Sequence, residues 1–119
     1  MKQPFDFLKD TTMSVTVCDK TGIVVYQNET AKKNDGNAVG RNMLDCHSIK
    51  TKEKILRMLS TGQGNTYAII KNGKREIVHH MPWFSDACGE VAGLIELTIP
   101  VPDDYPTFNR DEKNGKTAM

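Results

Sequence analysis

The stretch from Met13 to Asn28 reads MSVTVCDKTGIVVYQN. Two short runs rich in valine and isoleucine, residues 13–18 and 23–27, flank Asp19-Lys20-Thr21-Gly22. Asp opens this four-residue unit and Gly closes it, the pattern of a type I turn with Gly22 taking the positive φ that strains most other residues. The stretch is predicted to be a β-hairpin. An isolated hairpin is marginal in water, so this one belongs to a larger sheet covered on one face.

Working outward, the N-terminal side places Pro4 before Phe5, Phe7 and Leu8, with Asp10-Thr11-Thr12 as a stop. Residues 1–12 are expected to form a short cap helix packed on the body of the domain or on a second copy of it. On the other side, Asn28 is placed to cap a short helix over 29–33 that Asn34-Asp35-Gly36-Asn37 ends. Residues 38–47 show no clear period and read as loop with a single helical turn. In the run 48–62, Ile55, Leu56, Met58 and Leu59 fall at helical spacing, with charged residues elsewhere and Gly62 at the C-cap. This is an amphipathic helix, with Ser48 or Thr51 as its N-cap.

Three strands follow. Residues 65–71 and 74–84 are joined at Asn72-Gly73, a strong hairpin signal. Pro82 predicts a bulge or lost pairing near Met81-Pro82-Trp83. Residues 90–99 alternate Val91, Gly93, Ile95, Leu97 and Ile99 against Ala92, Leu94, Glu96 and Thr98, and read as a central strand. Residues 13–100 are thus the domain, and 101–119 a polar, flexible tail in which Tyr105 and Phe108 are available for docking.

The chain has 119 residues, enough for one domain burying about 65% of its unfolded surface. Lys and Arg total 16 against 15 for Asp and Glu, so no basic field points to nucleic acid or an anionic membrane. Three cysteines, widely spaced and without a CxxC pair, give neither a disulfide framework nor a structural zinc site. No apolar run approaches the roughly 20 residues needed to span a bilayer, and MKQPFDFLKD has charges where a secretion signal is apolar. The expectation is a soluble cytoplasmic protein with reduced thiols.

The order of elements resembles a PAS domain, a small α+β sensor module with a five-stranded antiparallel sheet in spatial order 2-1-5-4-3 and its helices on one face. The resemblance is carried by Asp19-x-x-Gly22 with Tyr26-x-Asn28, Gly40-Arg41 after the short helices, Asn72-Gly73 before a long strand, and Gly89 before the last one. It covers about residues 5 to 100. Asp45-Cys46-His47 is similar to a bacterial PAS subgroup with Asp/Asn-Cys-His ahead of the long helix, although Ser48-Ile49-Lys50 replaces the proline-containing segment of that group. It does not match the Asn-Cys-Arg-Phe-Leu signature of flavin photoreceptors. The resemblance implies a cavity between sheet and helices that holds haem, flavin, a metabolite or only side chains, and an outer sheet face and N-terminal helix that mediate dimerisation.

The candidate ligand-binding residues are Cys46, His47, Ile55, Met58, Leu59, Tyr67, Ile69, Ile95 and Leu97, without a catalytic set. Catalysis by Cys46 and His47 needs thiol and imidazole within hydrogen-bond reach, and adjacent residues usually point apart. His47 is weighed as a haem ligand against a plainer role, orienting the loop that enters the long helix, which is favoured. The cysteine pair of covalent haem attachment is missing. No metal site is assigned. His79 and His80, adjacent in a strand, face opposite sides of the sheet. The expected function is that of a non-enzymatic sensor binding a small molecule and signalling through a homodimer or protein-partner surface. A small Cys/His enzyme and a ligand-free dimerisation adaptor are the alternatives.

Overall fold

The computed structural model describes residues 6–85 and 89–111. Five strands, β1 (Ser14–Asp19), β2 (Val24–Gln27), β3 (Asn65–Lys71), β4 (Lys74–Phe84) and β5 (Val91–Pro100), form one antiparallel sheet in the order β2-β1-β5-β4-β3. Two helices, α1 (Glu29–Asp35) and α2 (Ile49–Thr61), and a 3-10 turn at Met43–Cys46 lie between β2 and β3 in the chain. A second 3-10 turn spans Asp6–Leu8. The cap helix expected over residues 1–12 is reduced, within the described residues, to that single turn, and the start expected at Pro4 falls outside them. No helix among the described residues is long and apolar enough to cross a membrane.

The opening hairpin closes as its sequence dictates. Gly22 N donates to Asp19 O at 3.0 Å, and Gly22 takes φ 93°. The Asp19 carboxylate accepts from the Thr21 hydroxyl at 2.7 Å and from the Thr21 and Ile23 amides. Asn72 and Gly73 both adopt positive φ, the geometry of a two-residue hairpin turn matched to strand twist.

Asn28 is the tie between the hairpin and its surroundings. It is 1% exposed, and its side-chain oxygen accepts from Ala31 N at 2.9 Å, capping α1, and from Val15 N at 3.1 Å. Its amide group donates to Leu8 O and Met13 O at 3.0 and 2.8 Å. One side chain therefore fixes the N-terminal segment, β1 and α1 together. The helix runs on through Asn34 and Asp35 before stopping at Gly36, two residues beyond its expected end, because Gly36 N still reaches Lys32 O at 2.9 Å.

In α2, Ser48 is the N-cap and accepts from Thr51 N, while Gly62 ends the helix in the left-handed region at φ 75°. Its buried side chains, Ile55, Met58 and Leu59, pack with Cys18 and Leu94 of the sheet, and Met43 and Leu44 close over the cluster. The core thus lies on the face of the sheet that carries Cys18 and Leu94.

Pro82 does not interrupt the β4 register, since it stands opposite Leu94 and the shift falls between Trp83 and Phe84. β3 pairs with β4 only as far as His80, so past that point one side of β4 needs no ladder donor and a proline is tolerated there. Trp83 then donates its indole N–H to Cys18 O at 3.0 Å, reaching from β4 to β1 across Gly93 of β5. A Cβ on Gly93 would collide with that same carbonyl oxygen. After β5, Val101 N donates to Arg75 O and Arg75 faces Asp103 at 3.8 Å, with Phe108 half-buried and Tyr105 exposed.

Candidate ligand cavity

The hairpin also builds the entrance to the site. Ile23 bridges Asn42, Val24 N donates to Arg41 O, and Met43 N donates to Gly22 O. Asn42 donates its side-chain amide to Thr21 O at 3.1 Å and accepts from Leu44 N at 2.9 Å. The 3-10 turn at Met43–Cys46 is thereby fastened to the hairpin turn, and His47 follows it in extended conformation immediately ahead of α2. Gly40, at φ 87°, turns the chain into this clamp.

Between that turn, α2 and the sheet lies a cavity of about 370 Å³, lined on the helical side by Met43, His47, Thr51, Lys54, Ile55 and Met58. Its sheet floor is Asn65, Tyr67, His80 and Glu96. The register that produces the floor is Asn65 opposite His80 and His80 opposite Glu96 across three adjacent strands. His80 Nε2 lies 2.7 Å from Glu96 Oε2, and His80 is 8% exposed. Its Nδ1 is buried without a partner. The Tyr67 ring stands 6.0 Å from that of His80, and its hydroxyl is held above the usual phenol range by burial and then by the Glu96 charge.

A smaller depression of about 160 Å³ adjoins the cavity and shares Tyr67 and Glu96 with it. Ser14, Asp35, Ile69, Lys71, Glu76 and Thr98 are among its walls. The Asp35 carboxyl is raised above its ordinary value, first by burial of the group against the sheet and then by Glu96, with Glu76 adding and Lys71 opposing.

Of the residues expected at the site, His47, Ile55, Met58 and Tyr67 meet in the cavity, and Ile69 lines the depression beside it. Leu59 is buried in the core cluster instead. Ile95 and Leu97 stand on the opposite face, because the odd-numbered residues of β5 point away from α2 while Leu94 and Glu96 point toward it. Cys46 is placed by its backbone in the 3-10 turn, its side chain lying outside the described atoms. Cys88 also falls outside the described residues.

His80 and Glu96 are the pair that sequence reasoning did not assemble. One signal was visible: Glu96 is a lone carboxylate inside the apolar run of β5. The register between β4 and β5 depends on the loop joining them, so the partner was not. His79, on the outer face, is 2.7 Å from the Thr66 hydroxyl, as its parity requires.

The residues do not fit a haem. A flat apolar macrocycle would rest on a floor whose centre is a hydrogen-bonded carboxylate and imidazole, while His47 is exposed at the rim. Among the described residues no three His, Cys, Asp or Glu side chains gather as a metal-binding group.

No protein-family profile matches the sequence, and no curated protein sequence matches it significantly. Solved structures do. The PAS domain of histidine kinase ThkA superposes with a TM-score of 0.61 over 75% of this chain and 99% of that one, at 15% identity. The fold is that of a PAS domain. A C-terminal domain from Streptococcus mutans superposes on this PAS fold with a TM-score of 0.64 at 23% identity, covering 79% of both chains. VqmA bound to DPO gives 0.62 at 17% identity over 83% of this chain and 56% of that one, so the match spans just over half of that VqmA chain. At 15–23% identity these likenesses concern the fold.

Proposed function

We propose that this PAS domain is a sensor that binds a small molecule between α2 and the sheet and passes the bound state to a dimer or partner surface. The observation that carries the reading is the polar floor of the cavity. A void filled only to stabilise the fold would be lined with apolar side chains, whereas this one sets His80, Glu96, Asn65 and Tyr67 beneath Met58 and Ile55. Its volume, about 370 Å³, falls within the roughly 300–1,000 Å³ of small-molecule sites, which combine apolar walls with a few placed polar groups. VqmA, of similar fold, is bound to DPO.

The output surface is the other face of the sheet. Ile77, Met81, Ile95, Leu97 and Ile99 project there half-buried, and Ile70 on the edge strand is 72% exposed. A contiguous apolar face of this kind suits a second copy or a signalling partner. β5 belongs to both surfaces, since Glu96 lies at the cavity and its neighbours Ile95 and Leu97 lie outside. Ligand contacts at Glu96 thus bear on the strand that carries the outer face.

Native mass spectrometry of protein purified without denaturant tests the reading. A small molecule retained by the wild type is expected to be lost from Met58→Trp, which fills the cavity, at unchanged circular dichroism. A bare mass for the wild type, with no binding from a fractionated metabolite extract, overturns it. Sedimentation tests the surface: the wild type is expected to dimerise and Leu97→Glu to be monomeric, and a monomeric wild type at high concentration counts against the dimer.

A further inference from the structure

Of the sheet's two outer strands, β3 is the one left open among the described residues. At the other edge the chain at 40–42 covers β2, with Val24 N donating to Arg41 O and Gly40 N to Val24 O. The ladder of β3 shows which of its groups are free. Asn72 and Gly73, at φ 54° and 74°, make a two-residue turn, and such a turn closes on a hydrogen-bonded pair, here Lys71 with Lys74. Pairs then alternate, so Ile70 and Arg75, Ala68 and Ile77, and Thr66 and His79 turn their main-chain groups away from each other. The bond from Val101 N to Arg75 O, made at 3.2 Å from just past the end of β5, agrees with that alternation. Thr66, Ala68 and Ile70 therefore hold their N–H and C=O groups out along the open edge, and no main-chain bond from another described segment meets them.

This edge lacks the usual protections. β3 contains no proline, its register with β4 is unbroken, and it is uncharged from Asn65 to Ile70, with Lys71 as its one charged residue. Tyr67 is 43% exposed and Ile70 72%. Strand edges are ordinarily blunted by bulges, prolines or central charges, because a bare edge templates another strand. What satisfies such an edge is a strand, and β3 matches itself. Two antiparallel copies centred on Ala68 set Thr66 against Ile70, Tyr67 against Ile69 and Asn65 against Lys71. Ala68 is one of the outward-facing residues, so this register bonds the free groups of Thr66, Ala68 and Ile70 in both copies. An aromatic meets a β-branched side chain on the cavity face, and a threonine meets an isoleucine on the outer face. Each Lys71 faces an uncharged Asn65, at the far end of the pair from its own copy, so no like charges are opposed.

We propose that the β3 edge is the docking surface for β3 of a second copy of this chain, joining the two sheets into one. The contact is distinct from the outer face and does not depend on the reading of the cavity. It does reach the cavity, because Asn65 lies on the floor and the pairing brings Lys71 of the second copy beside it. Being one strand wide, the contact is small beside the roughly 1,200–2,000 Å² of stable interfaces. It therefore forms at higher concentration than a contact through the outer face, and links outer-face pairs into larger assemblies.

The test is sedimentation of the full chain carrying Leu97→Glu, which removes the outer-face contact, over a concentration series. This variant, monomeric when dilute, is expected to become dimeric as it is concentrated. Adding Ala68→Pro deletes the outward N–H and no donor of the β4 ladder, and is expected to weaken that dimer at least about tenfold at unchanged circular dichroism. Ala68→Glu and Ala68→Lys each set like charges at the centre of the pair, and are expected to be monomeric alone and to associate when mixed. A folding defect gives no such rescue. The amides of Thr66, Ala68 and Ile70 are expected to exchange more slowly with solvent as the protein is concentrated. A Leu97→Glu chain that stays monomeric throughout overturns the inference, as does a dimer indifferent to Ala68→Pro or a mixture of the two charged variants that does not associate. Protection of the outward amides already complete in the dilute monomer overturns it too, and assigns the edge to a segment of the same chain.

Discussion

Asn28 shows how much one side chain holds. Its four principal hydrogen bonds satisfy two amides and two carbonyls from separate segments, all close to buried strand and helix ends. Replacement by alanine leaves those groups without partners, and a loss of roughly 3–4 kcal/mol in urea unfolding is expected. Asn28→Asp is expected to cost about as much, because a carboxylate oxygen would then face the Leu8 and Met13 carbonyls. Asp19 gives a pH signature at the same scale. The Thr21 hydroxyl is the main cause of its lowered pKa, helped by the turn amides. Its contribution is therefore fully present above the ordinary carboxylate value of about 3.9 and is lost as the pH falls through the lower folded value. Asp19→Ala is expected to cost about 1 kcal/mol at pH 7, and the gap from wild type to narrow below pH 4 in unfolding titrations. Both residues were legible in the sequence, since a cap and a turn are local. The His80–Glu96 pair was not, because sixteen residues and a strand register separate its members.

At the scale of elements, every strand and both helices were foreshadowed by local pattern, with ends displaced by one or two residues. The helix α2 illustrates why. Ser48 and Gly62 bracket it chemically, and the apolar spacing of Ile55, Met58 and Leu59 decides which side meets the sheet. Ser48→Ala removes the acceptor for Thr51 N, and a loss of about 1 kcal/mol is expected by thermal unfolding, with the cavity-lining face intact. What local pattern misassigned is the facing of β5. Its odd positions are the more apolar set and were placed toward the cavity, yet the even set, with Leu94, Glu96 and Thr98, meets α2 and α1. Apolarity marks a face that is covered by something. It does not say whether the cover is a helix of the same chain or another molecule.

For the whole molecule, the sheet order was what the resemblance of the element order to a PAS domain implied, and the structure has that order. The charged lining of the site was illegible, because it comes from three adjacent strands, β5, β4 and β3, together with the end of α1. The chain contains a single tryptophan, and its indole N–H is bound to the Cys18 carbonyl across the backbone of Gly93. That places an intrinsic fluorophore as a clip over β4, β5 and β1. Its emission will therefore register strain in the three central strands without any label, and a ligand of the kind proposed for the cavity at Glu96, three residues along β5 from Gly93, is expected to shift or quench one indole, a change that can be followed in a cuvette.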